Sequence, residues 1–177
     1  IEMSAFDKTA YYNNPDNWYN GALYIGKHLI KVDKDVERFV ARKDTICIAD
    51  DAFDGCYKLR YVEVGGYHRG ILLSQYSTNL ETLTISNLGN ECIVSDYFTT
   101  IWGNLEVPLT LKTIILKSGV DVNSSAFFYG ITGVTIYVED AKIDCPWDHG
   151  YPGWNNGNKV FYGDEWARVK FISDGEV

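Results

Sequence analysis

Histidine, proline and methionine are scarce in this chain, at 3, 4 and 1 of 177 residues. The four cysteines, Cys47, Cys56, Cys92 and Cys145, form no Cys-x-x-Cys pair and no zinc spacing. No metal ion or cofactor is expected. There is no run of 18 apolar residues, so no transmembrane helix is predicted. Basic residues are in deficit, with 16 Lys+Arg against 24 Asp+Glu and a net charge of −8. Nucleic-acid binders need a basic stripe, and the chain offers none. Gly-x-Ser-x-Gly, His-Glu-x-x-His and a phosphate-binding glycine loop are all missing, which argues against the common hydrolase and nucleotide chemistries. The only Met is not residue 1, and the last residues stop in mid-motif. A segment of a longer protein is therefore expected, and the lack of a leader says nothing about export.

What is present points to a packed, β-rich fold. The length suits one domain with a real core. Aromatic residues are plentiful, with 5 Trp, 13 Tyr and 8 Phe. The pattern apolar-x-x-apolar-x-apolar recurs at Val36-x-x-Phe39-x-Ala41, Leu59-x-x-Val62-x-Val64 and Leu80-x-x-Leu83-x-Ile85. It returns at Leu111-x-x-Ile114-x-Leu116, Ile131-x-x-Val134-x-Ile136 and Trp166-x-x-Val169-x-Phe171. The steps are 23, 21, 31, 20 and 35 residues. The shorter ones fall in the period range of leucine-rich repeats, and the longer ones read as insertions.

A second signature lies between the first two matches. Ile48-Ala-x-x-Ala52-Phe53-x-Gly55-Cys56-x-x-Leu59 couples an Ala-Phe step to the next strand, and Ala-Phe recurs at Ala5-Phe6 and Ala126-Phe127. This unit resembles the BspA-type (Treponema-type) leucine-rich repeat. The stretch from Ala10 through Trp18 and Gly21 to Ile30 is similar to a segment found in gut-bacterial members of that family. The resemblance implies a right-handed leucine-rich-repeat solenoid, mainly β with short helical or turn segments, and a parallel sheet on its concave face. It also implies an exported, cell-surface context and a recognition or adhesion role.

The physical logic of the repeat agrees. Each unit is a short strand whose alternate side chains point inward, and stacked strands bury what one alone cannot. Residues 1–35 are expected to form a partial first repeat with an inserted β-hairpin turning at Gly26-Lys27. Residues 36–140 form the solenoid. Residues 141–177 form an aromatic capping segment, with Lys159–Tyr162 among its closing strands. All belong to one structural domain, and Cys56 should lie buried in a stacked row.

The positions between the apolar ones face the concave side. The expected binding row is Arg38, Val40, Arg42, Tyr61, Glu63, Thr82, Thr84, Thr113, Ile115, Thr135 and Tyr137, with Tyr61 and Tyr137 as anchors. The partner would be an extracellular protein or glycan, and the chain a monomer. Three alternatives stay open. One is a glycan platform formed by Trp147, Tyr151 and Trp154, against which stands a plain hydrophobic cap; Trp18 and Trp102 carry the same ambiguity. Another is a purely structural spacer of a surface protein, and the last is an enzyme with a dispersed site, which turnover of a substrate panel would reveal. Asp50, Asp51 and Asp54 read as solvated turn carboxylates rather than a calcium site, since the distal Glu of a calcium loop is absent. Asp148-His149 is the only adjacent acid–base pair, and no catalytic residue is expected.

Overall fold

A computed structural model describes residues 6, 8–49, 51–65, 79–86, 92–94, 110–122, 132–139 and 158–163. Among these, helix is confined to one turn, α1 (Ala10–Asn13), and a 3-10 turn at Pro15–Asn17. No helix among them is long and apolar enough to cross a membrane.

The strands follow from the repeat. β1 (Trp18–Tyr19), β2 (Ala22–Ile25) and β3 (His28–Val32) form an antiparallel unit at the start. β2 and β3 turn at Gly26-Lys27, as expected, with Gly26 at φ 57°. A second turn, Asn20-Gly21, joins β1 to β2 with φ of 50° and 73°. Both values are positive, which suits a short Asn-Gly hairpin turn.

Six strands then stack in parallel: β4 (Arg38–Val40), β6 (Tyr61–Gly65), β7 (Thr82–Ser86), β9 (Thr113–Leu116), β11 (Thr135–Val138) and β12 (Lys159–Tyr162). We call this the front sheet. Opposite it, β5 (Cys47–Ile48) pairs in parallel with β3, and β8 (Cys92–Val94) pairs in parallel with β10 (Val120–Val122). Residues from both sides, among them Leu29, Ile48, Phe39, Val62, Ile114, Val120 and Ile136, share one continuous core. The chain is thus a mainly-β parallel solenoid.

Register corrects one feature of the sequence reading. Phe39, Val62, Leu83, Ile114, Ile136 and Val160 stand side by side, at steps of 23, 21, 31, 22 and 24 residues. The fifth unit is therefore centred on Ile136, two residues beyond the Val134 that the motif spacing predicts. A shift of two keeps the same side chains inward because strand alternation has period two. Val134 is still buried, just ahead of the strand. The sixth strand in the sheet is Lys159–Tyr162, and the match at Trp166–Phe171 lies outside the described residues.

The Ala-Phe step works as a packed corner. Ala52 is fully buried, and its carbonyl accepts from Val32 N at 2.7 Å. The Phe53 ring meets Phe39 edge to face, with centroids 5.7 Å apart. Cys56 is buried, and its thiol donates to the Val32 carbonyl at 3.5 Å. Burial pushes that thiol up from 9.0 to about 11. Two consequences follow from the raised value. A thiol reagent at pH 8 should label the partly exposed Cys47 and spare Cys56 in the native protein, which mass mapping of the adducts checks. The stability that Cys56 contributes is complete below pH about 9 and is lost as pH rises toward about 11. Cys56→Ala should flatten that alkaline decline in melting temperature.

Asp54 is a solvated turn carboxylate, its side chain 52% exposed, whereas Asp51 is not. The Lys31 ammonium donates to the Asp51 carbonyl at 2.8 Å and lies 3.8 and 4.0 Å from the two carboxylates. Asp51 is itself buried, so the corner is tied by charge to β3. Asp50 lies outside the described residues.

Candidate binding face

The outward residues of the front sheet form two rows. One runs Arg38, Tyr61, Thr82, Thr113, Thr135, Lys159, and the other Val40, Glu63, Thr84, Ile115, Tyr137, Phe161. A charged series precedes the strands: Glu37, Arg60, Glu81 and Lys112 are linked rung to rung through their backbones. Signs alternate along it, and Lys112 reaches Glu81 at 3.4 Å. Opposite charges on neighbouring strands favour this register modestly.

The rows are not uniformly accessible. Thr84 is 0% and Ile115 8% exposed, so the middle of the second row offers no side-chain surface to a partner. Thr82, Thr113 and Thr135 are half-buried. Accessible side chains concentrate at the two ends. At the carboxy-terminal end, Tyr137 stacks on Phe161 at 5.5 Å with planes 20° apart, and Lys159 is exposed. Burial raises the Tyr137 phenol above its usual pKa.

The amino-terminal corner is the more structured end. The Arg38 guanidinium lies over the Tyr61 ring, 3.6 Å from its centroid. The Tyr61 hydroxyl donates to Glu63 Oε2 at 2.9 Å. Burial is the main reason that the Tyr61 phenol is held above its usual pKa, and the Glu63 charge adds to it, while the Thr84 hydroxyl and Arg38 pull it down. Tyr61 therefore remains a neutral donor across the physiological range. Val40 is 47% exposed beside this group. The corner combines a cation, a fixed aromatic ring, a carboxylate and an apolar side chain.

Arg42 departs from the expected row. It follows the end of β4 and turns toward the hairpin, where it pairs with Asp44 at 3.1 Å. Its guanidinium stands 4.7 Å from the Tyr24 ring centroid and donates to the Gly26 carbonyl at 3.3 Å. Its period-two position continues the row in sequence, but the strand ends at Val40 and the chain bends away. Trp18 faces its own segment: Nε1 donates to the Tyr12 carbonyl at 2.8 Å, and the ring packs edge-on against Tyr12. Trp102, Trp147, Tyr151, Trp154 and the Asp148-His149 pair lie outside the described residues. No group of three or more metal-ligating side chains comes together among the described residues.

Pairing across strands was not legible in the sequence in advance. Lys159 and Phe161 extend both rows, whereas the sequence marks them only as part of a cap, because their unit lacks the leading apolar residue of the motif. The fold and face together define a parallel β-solenoid with an open-ended outward sheet surface. Compared with known proteins, the chain matches no family model, no curated protein and no solved structure.

Proposed function

We propose that the chain is a non-catalytic recognition module that binds a protein or glycan partner on the outward face of its front sheet. The observation that carries this reading is the Arg38–Tyr61–Glu63 corner beside Val40. Arginine and tyrosine are the residue types that most often anchor binding interfaces, and here each is held in place by the other. Extended solenoid faces serve recognition in this way. The Ile-x3-Ala-Phe corner and the parallel stack support the resemblance to BspA-type leucine-rich repeats, and the resemblance implies right-handed coiling. That resemblance in turn supports an exported, cell-surface setting and an adhesion role. Within the original row, Tyr61 and Glu63 carry the contact, Arg38 and Val40 flank it, and Tyr137 with Phe161 forms a secondary end.

The test is a screen of the protein against immobilised glycans and extracellular-matrix proteins, with two double variants checked for folding. A partner retained by wild type and lost about tenfold or more by Arg38→Ala/Tyr61→Ala supports the corner. A sugar ligand lost only in Trp147→Ala/Trp154→Ala overturns it in favour of the terminal loop. No partner anywhere leaves the chain a structural spacer and also overturns it.

A further inference from the structure

Arg38 takes the place on Tyr61 that a sugar ring would need. A sugar stacks its apolar side on an open aromatic face, and here the guanidinium already covers one face, 3.6 Å from the centroid. The ring is half-buried, and its hydroxyl is committed to Glu63 Oε2 at 2.9 Å. What the corner offers instead is charge. Lys31, Arg42, Lys58 and Lys112 each pair with a carboxylate, whereas Arg38 has the Tyr61 ring as its partner among the described residues. Arg38 is exposed, and a guanidinium lying on a ring keeps its N–H fork at the ring's margin. The fork matches a carboxylate through two parallel hydrogen bonds. Contact with the ring also restricts the arginine before a ligand arrives, which lowers the cost of binding one.

The surroundings select against a polyanion. Val40 and Glu63 stand level with each other in the next row, so a carboxylate flanks Arg38 on the same face. Glu37, Arg60 and Glu81 alternate in sign along the rim, and the whole chain carries −8. A run of sulfates or phosphates needs a basic stripe and would meet Glu63 instead. One carboxylate with an apolar neighbour avoids that repulsion and covers Val40, which is 47% exposed.

We propose that the corner takes a single carboxylate of a partner protein, an Asp or Glu side chain beside an apolar residue. This rests on the recognition reading above and narrows it from protein or glycan to an acidic protein segment. Arg38 binds the carboxylate, Tyr61 holds Arg38, and Glu63 holds Tyr61 while repelling multiply charged anions.

The probe is a phage-displayed library of random peptides, selected on the immobilised whole chain and on its Arg38→Ala variant. Heparin and a sialylated oligosaccharide are assayed beside it. Peptides recovered on wild type alone should carry an Asp or Glu next to an apolar residue. Measured by fluorescence anisotropy on one such synthetic peptide, exchange of the acid for its amide should weaken binding about tenfold or more. Arg38→Ala should weaken it as much, and the two changes together should cost no more than either alone. The exchange on the peptide decides the matter even if the protein variant misfolds. Peptides that depend on Arg38 and Tyr61 but tolerate the amide overturn this inference and leave the recognition reading standing. Binding of heparin or the oligosaccharide at the corner does the same. No bound probe, or binding indifferent to Arg38→Ala/Tyr61→Ala, overturns both.

Discussion

Phe53→Ala is expected to lower the unfolding free energy by about 3–5 kcal/mol, the range for removing a buried phenylalanine ring. The ring is 2% exposed and meets Phe39 edge to face across the first coil. Collapse into the resulting cavity is hindered because the surrounding corner is stitched by its backbone. Ala52 N donates to Ala49 O at 3.0 Å, and Cys56 N to Phe53 O at 3.1 Å. The Ala52 carbonyl is held by Val32 as well. The loss should be seen as a lower urea midpoint by circular dichroism. Phe53→Leu, which refills most of the volume, should recover more than half of it. A loss under about 1 kcal/mol in Phe53→Ala would mean that the Ala-Phe step does not hold the coil.

The second large effect comes from a pair of prolines. In β6 the residues bonded to β4 are Tyr61 and Glu63, so Val62 turns its N–H toward β7. Val62→Pro deletes that donor from an interior rung and strands a buried carbonyl, worth about 1–3 kcal/mol. It also disturbs a fully buried side chain in the middle of the core row. The combined loss is expected to reach about 3 kcal/mol or more. Val40→Pro removes an N–H that serves no described strand, and its cost should stay within about 1 kcal/mol. Equilibrium urea unfolding of the two variants beside wild type gives both numbers. Equal losses would contradict the assignment of β4 to the edge and β6 to the interior.

Much of this architecture was readable in the residues because strand burial has a short period. Phe39, Val62, Leu83 and Ile114 were placed correctly as inward centres, and the Gly26-Lys27 turn follows from a glycine between two alternating runs. The Ile131–Ile136 unit was misplaced by two residues because Val134 is buried as well as Ile136, so hydrophobicity could not choose between them. Backbone pairing chose. Asn20-Gly21 was a missed signal, since that dipeptide is itself a hairpin cue. The candidate face was less legible. Period two placed Thr84 and Ile115 outward, but burial of an outward residue depends on what covers it, which no local pattern encodes. Arg42 illustrates the opposite failure, where alternation continues past the point at which the strand stops.

Residue-resolved amide exchange across β4 and β6 tests the parallel stack most directly. The amides of Phe39, Ala41, Val62, Glu63 and Val64 should be protected, while those of Arg38 and Val40 exchange at rates near those of an open chain. Uniform protection from Arg38 to Ala41 would show that the edge is closed. Rapid exchange at Val62, Glu63 and Val64 would contradict the solenoid itself.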